Sequence, residues 1–307
     1  MKKQQPPTRM DMALSRLIFR MMQGLGRLPR PLTRRLGNLL GDAGFRMNRR
    51  RRKIALDNLA FALGAELDAG KRRFLARDAY RNMAQILFEI GRSIAVPVDE
   101  IARCIRIDGL EHYRTALAKG RGVVFITGHL GNWEILPFVS KIAGIQTNIV
   151  YRPLDFKPLD LFFGGLRSRF GARLIKSSHA MLPVMRALKR KEAVVILIDQ
   201  SVDWYDGIWV DFFGRRTCTS NGVALIAGKV RCPVLPAFLY REGDGFRAVM
   251  GPEIPLAASG DKTKDLQVNT LSYSKAIEHG IRRHPEQWFW VHRRWKNRPY
   301  CPWPGGG

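Results

Sequence analysis

Residues 128–134 read Gly128-His129-Leu130-Gly131-Asn132-Trp133-Glu134 and place an imidazole and a carboxylate five positions apart. A histidine so placed can accept a proton as general base, while the carboxylate fixes its tautomer and stabilises the imidazolium that forms. Loop glycines let a substrate approach the backbone closely. On spacing alone the signal is weak, because a histidine followed by a glutamate is more often an ordinary loop pair. The pattern is not the i, i+4 histidine pair of a zinc protease and has no third ligand, so no metal is expected. No G-x-S-x-G elbow occurs, and none of Cys104, Cys218, Cys232 and Cys301 lies near a histidine in sequence, which disfavours a covalent nucleophile.

The elements that must position this segment follow from periodicity. Val123-Val124-Phe125-Ile126-Thr127 precedes it directly, and residues 146–151, 194–198 and 234–238 form similar β-branched runs between helical stretches. Continuous apolar runs of this kind imply strands buried on both faces, hence an α/β fold with a central, mostly parallel sheet flanked by helices. Asp199 follows the 194–198 run at its C-terminal end, where ligands of open α/β sheets collect; the plainer reading of Asp199 is a helix cap. Residues 54–95 repeat apolar positions every three to four residues and read as helical until Pro97 breaks the pattern.

Composition narrows the partners. With 52 Lys+Arg against 26 Asp+Glu the chain carries a formal charge of +26, which attracts nucleic acid, anionic lipid or acidic protein. A 46% hydrophobic content excludes general disorder. Residues 10–26 form an amphipathic helix through Met10, Leu14, Leu17, Ile18, Met21, Met22 and Leu25. The stretch 27–53 then carries ten Arg and Lys, Arg27 to Lys53, against the single acid Asp42. Such a pair suits a segment lying on an anionic bilayer, although a helix packed on the body with a solvated basic face has the same pattern. No apolar run approaches the roughly 18 residues of a spanning helix, and no secretory signal is read at the N-terminus. The organisation expected is a membrane-associating segment over 1–53, a catalytic domain over 54–303 and a loose tail over 304–307.

The blocks around His129 resemble the late acyltransferases of lipid A biosynthesis, within the glycerolipid acyltransferase group built on an H-x4-D/E motif. Tyr151-Arg152-Pro153, Asp199-Gln200, Phe212-Phe213-Gly214 with Thr217 and Thr219, and Pro233-Val234-Leu235-Pro236 are similar to the later blocks of that family in their usual order. His284-Pro285-Glu286-Gln287-Trp288 with Trp290, His292, Arg293, Arg294 and Trp295 resembles its C-terminal signature.

The resemblance implies a glycerolipid-acyltransferase-like fold and transfer of a fatty acyl chain from an acyl-carrier-protein thioester to a hydroxyl of a lipid A precursor at the cytoplasmic face of the inner membrane. It needs no cofactor. His129 would be the base and Glu134 its orienting carboxylate; Arg167 matches the position of a functional arginine, with Arg169 as its rival. The Gly131-Asn132 turn or a guanidinium would supply oxyanion donors. Asp199 would support the site or bind the acceptor, with Gln200 beside it. Asn132, Arg152 and Arg293 would contact substrate, arginine offering a planar fork to phosphate. The tryptophans and Phe212-Phe213 would line an acyl groove or fill the core. Partners would be acyl carrier protein, an anionic glycolipid and the membrane surface. A mannosylated phosphoinositide or an aminolipid is the alternative acceptor. A polyanion binder without activity would leave these ordered blocks unexplained, and no nucleic-acid module is evident.

Overall fold

The computed structural model describes residues 6–296. Four long helices come first: α1 (Arg9–Gly26), α2 (Arg30–Met47), α3 (Arg49–Leu63) and α4 (Ala69–Ala95). The order then alternates: α5 (Val98–Ala102), β1 (Ile105–Asp108), α6 (Leu110–Leu117), β2 (Val123–Thr127), α7 (Leu136–Ile142), β3 (Thr147–Tyr151), α8 (Lys157–Arg169), β4 (Arg173–Lys176), α9 (Met181–Lys189) and β5 (Ala193–Leu197). A hairpin of β6 (Gly207–Phe212) and β7 (Arg215–Ser220), α10 (Gly222–Val230), β8 (Val234–Glu242), β9 (Gly245–Met250) and α11 (Lys262–Arg283) complete it. The 304–307 tail, Cys301 and the end of the expected catalytic domain fall outside the described residues.

The main sheet has seven strands in the order β1-β9-β8-β2-β5-β3-β4. β8, β2, β5, β3 and β4 run parallel, whereas β9 is antiparallel to β8 and β1 follows β9. This is the α/β, mostly parallel arrangement expected. β2 is buried along its whole length, as its unbroken apolar run requires. It lies between β8 and β5, with Thr127 opposite Leu197. The C-terminal ends of β2 and β5 therefore open side by side, and His129 and Asp199 both sit just beyond them.

The N-terminal helices pack tightly on α4. Gly26 and Gly91 meet where α1 crosses α4: a Cβ on Gly26 would lie 2.1 Å from the Gly91 carbonyl carbon, and one on Gly91 would lie 2.4 Å from the Met22 oxygen. No side chain fits between the two helices there. Asp42, the lone acid of the basic stretch, clamps α2 to α4 through Arg77 and Arg81, and these guanidiniums hold its carboxyl well below the usual range. α1 turns Ile18, Phe19 and Met22 inward, with Phe19 edge-on to Phe162 of α8. Met10, Leu14, Leu17 and Met21 remain as an exposed outward stripe. Among the described residues no helix is long and apolar enough to cross a membrane.

Candidate active site

β2 ends at Thr127, and the chain turns through Gly128 to present His129. Gly131 makes the turn possible, with φ of +61° and a position where a Cβ would fall 1.8 Å from the Leu239 oxygen. Segment 287–289 pairs with the turn from the far side: Phe289 N–H donates to the His129 carbonyl at 3.0 Å, and Gly131 N–H donates to the Gln287 carbonyl at 3.0 Å. The C-terminal block thus forms a wall of the site, with Phe289 and Trp133 flanking the imidazole at ring distances of 6.0 and 5.0 Å.

The carboxylate against His129 is Asp199. Its Oδ1 lies 2.8 Å from His129 Nδ1, and its Oδ2 accepts from the His129 backbone N–H at 2.9 Å and from the Trp288 indole N–H at 2.8 Å. This geometry puts the proton on Nδ1 and leaves Nε2 as a proton acceptor. Burial disfavours the imidazolium, but the charge and hydrogen bond of Asp199 and the charge of Glu134 outweigh it, so the His129 pKa stands above its ordinary value. Burial also opposes the charge of Asp199, yet His129 and the Trp288 donor together hold its carboxyl well below the usual range. The His129 side chain keeps 23% exposure, while that of Asp199 keeps 1%; the imidazole is reachable and its partner is sealed.

Direct orientation of His129 by Glu134 is corrected by this geometry. The Glu134 carboxylate is taken up by a two-pronged pair with Arg167, Nε and Nη2 donating at 3.0 and 2.8 Å, and by the Trp133 indole N–H at 3.1 Å. Starting a 3-10 turn over 133–135 carries Glu134 away from Nδ1 and toward α8. Glu134 reaches His129 through its field and otherwise anchors Arg167, whose guanidinium stacks near Tyr151 and Phe163. Arg169, two residues on, is exposed and makes no part of this cluster.

Two further expectations change. Asn132 is fully buried, and its Nδ2 donates to Glu89 of α4 at 2.8 Å, so it ties the turn to α4. The backbone donors of the Gly131-Asn132 turn are spent on Gln287 and Leu239, the latter at 3.3 Å. The Gln200 side chain lies beside the imidazole, its Nε2 3.4 Å from both ring nitrogens of His129. Arg152 is 80% exposed, with a long 3.6 Å contact to Asp155, and Arg293 is exposed as well. Phe212, Phe213, Trp288, Trp290 and Trp295 are buried in the core, Trp288 and Trp290 packing edge-to-face at 4.6 Å, whereas Trp204 is exposed.

Residues not singled out from sequence support the turn. Arg241 of β8 pairs with Glu89 and reaches Asn82, and Asn82 donates to the Gln287 carbonyl at 3.1 Å. Asn82 and Glu89 are seven apart on α4, hence on one face; two polar residues on the buried face of a helix were the available signal. Among the described residues no group of histidine, cysteine and acid side chains could hold a metal.

Comparison with known proteins bears on this arrangement. The family model described as bacterial lipid A biosynthesis acyltransferase matches residues 2–297. The lipid A biosynthesis lauroyltransferase of Escherichia coli (strain K12) is 29% identical over 279 residues, 89% of this chain and 88% of that protein. The palmitoleoyltransferase of the same organism is 26% identical, covering 89% of this chain and 87% of its own. A phosphatidylinositol mannoside acyltransferase of Mycobacterium tuberculosis (strain ATCC 25618 / H37Rv) is 27% identical over 210 residues, 66% of this chain and 62% of that protein.

Proposed function

The chain belongs to the bacterial lipid A biosynthesis acyltransferase family and is an acyltransferase, and from that premise we propose that it moves a fatty acyl chain from an acyl-carrier-protein thioester to a hydroxyl of a lipid A precursor. The observation that carries the mechanism is the His129–Asp199 pair at the mouth of β2 and β5, with Nδ1 held and the Nε2 lone pair left to accept, met only by a long 3.4 Å contact from the Gln200 amide among the described residues. Nε2 takes the proton of the acceptor hydroxyl as its oxygen attacks the thioester carbonyl. A C–O bond forms, the tetrahedral intermediate collapses with loss of the C–S bond, and the imidazolium returns the proton to the departing thiolate. Asp199 stabilises the imidazolium in between.

Arg167, fixed by Glu134 through Nε and Nη2 and so offering Nη1, and the Gln200 amide would donate to the oxyanion. A guanidinium held at both Nε and Nη2 has little freedom to lose when the charge develops, which favours the transition state over the ground state. Arg152, Arg169 and Arg293, all exposed, serve phosphate or sugar groups of the acceptor.

Mass spectrometry of the lipid product tests this reading. Purified enzyme, carrier-protein thioesters of several chain lengths and a tetra-acylated lipid A precursor are expected to give a mass gain of one acyl group. Transfer onto a mannosylated phosphoinositide instead, the acceptor named for the mycobacterial relative, would reassign the acceptor. Transfer from coenzyme A alone would reassign the donor.

The outward stripe of α1, with Arg16, Arg20 and Arg27 exposed around it, is the surface that lies on the inner membrane at its cytoplasmic face. Apolar side chains enter the acyl boundary while arginines meet anionic headgroups. The enzyme is expected to float with phosphatidylglycerol vesicles but much less with phosphatidylcholine ones, and a double Leu17→Glu, Met21→Glu variant to stay in the unbound fraction. Equal flotation of that variant would remove α1 from the contact.

A further inference from the structure

Arg294 is fully buried, yet among the described residues no carboxylate bonds to it. Its Nη2 donates to Thr219 Oγ1 at 2.7 Å and its Nη1 to the Cys218 carbonyl at 3.1 Å, while its guanidinium carbon lies 4.6 Å over the Phe212 ring. The Thr217 hydroxyl donates to the Arg294 carbonyl at 2.6 Å. Its Nε is buried with no hydrogen-bond partner among the described residues. Burial pulls its pKa down to about 10, against the opposing charge of Asp199, so it remains a cation at neutral pH. A cation kept in the core without a direct ion pair is a net cost to folding.

The strand that Arg294 grips leads to the catalytic pair. Thr219 forms an isolated β-bridge with Ser201, and the Val202 N–H donates to the Cys218 carbonyl at 3.3 Å. Ser201 in turn adjoins Gln200 and Asp199. On the other side, Phe212 under the guanidinium packs on Trp288, whose indole donates to Asp199. Both routes from Arg294 end on the same carboxylate.

We propose that Arg294 is a positioning residue for the acyl transfer reaction, its planar fork fixing β7 and through it the Asp199-Gln200 loop against His129. The proposal rests on Asp199 and His129 being the catalytic pair. Charged and titratable groups around that pair are Glu134, Arg167 and His292, with Cys218 beside Arg294 itself. His292 is itself held near a pKa of about 4 by burial and stays neutral over the working range.

Two effects of removing Arg294 pull in opposite directions. Losing a cation near the pair would raise the His129 pKa, whereas a slackened Asp199 contact would lower it, because that contact is what lifts it. The fork therefore predicts a fall. The test is the imidazole ¹⁵N titration of His129, assigned by its absence in His129→Ala, in wild type, Arg294→Lys, Thr219→Val and Asp199→Asn. Arg294→Lys keeps the charge and loses the fork; Thr219→Val removes one acceptor with little change of shape, and serves if the first variant does not fold.

In both, the His129 midpoint is expected to move down toward the Asp199→Asn value. The product assay should show kcat lower by on the order of ten- to a hundredfold with KM little changed. Adding Asp199→Asn to either variant should cost less than the product of the two separate losses. A midpoint unmoved or raised in both variants, with only thermal stability reduced, would overturn the proposal. The titration needs no acceptor, so it stands or fails apart from the identity of the substrate.

Discussion

His129→Ala is expected to lower kcat by about three orders of magnitude, within the range general-base catalysis supplies. Asp199 locks the other nitrogen of this imidazole at 2.8 Å, which fixes Nε2 as the acceptor. Gln200 is a neutral amide, and Glu134 is occupied by Arg167 and the Trp133 indole. KM should change little, because the side chain does its work as the proton moves. Retention of more than about a tenth of the wild-type rate would exclude His129 as the base. The effect on folding should be small, since the backbone of residue 129 keeps its bonds to Asp199 and Phe289 in the variant.

Asp199→Asn comes next, with an expected loss of about 10²- to 10⁴-fold in kcat. The amide preserves shape, but its Nδ2 can donate to Nδ1, which would put the imidazole proton on Nε2 and abolish the acceptor there. The variant also has a signature in pH. The base works as neutral imidazole, so in wild type the rate rises with pH through a His129 pKa that Asp199 and Glu134 hold above the ordinary value. Without the Asp199 charge that pKa falls, and the acidic limb of the residual activity moves to lower pH. A pH–rate profile of kcat/KM reads it directly, and a limb that stayed in place would mean that Asp199 does not act on His129 electrostatically.

These two residues also mark where sequence reasoning reaches and stops. β2 and β5 were legible because a strand buried on both faces must be apolar throughout, and Val123–Ile126 and Val194–Ile198 are. β1, β4, β9 and the β6–β7 hairpin do not read as strands from the sequence. Ile105-Arg106-Ile107-Asp108 and Arg173-Leu174-Ile175-Lys176 are four-residue edge strands with charged, exposed positions, which resemble loop. The hairpin opens β7 with Arg215 and Arg216, both exposed. Glu134 looked like the partner of His129 because it is near in the chain. The true contact spans 70 positions and depends on β5 inserting beside β2, while β3, earlier in sequence, lies outside it. Strand order is set by packing of the whole sheet and has no local marker. The indole of Trp288, one donor to Asp199, was visible as part of a block, but its role required the fold.

The Gly26–Gly91 crossing gives the N-terminal helices a mechanical meaning. With the backbones of α1 and α4 in contact at Gly26 and Gly91, α1 cannot swivel without carrying α4, and α4 holds the His129 turn through Asn82 and Glu89. Settling α1 on a surface would therefore also set the tilt and height of the catalytic mouth above that surface. On the membrane contact proposed above, rotational freedom would be surrendered once, on landing, and the alignment of His129 toward an acceptor anchored in the same plane would come with it. A flexible tether at this joint would hold the enzyme at the membrane equally well, yet leave every turnover to find its orientation anew.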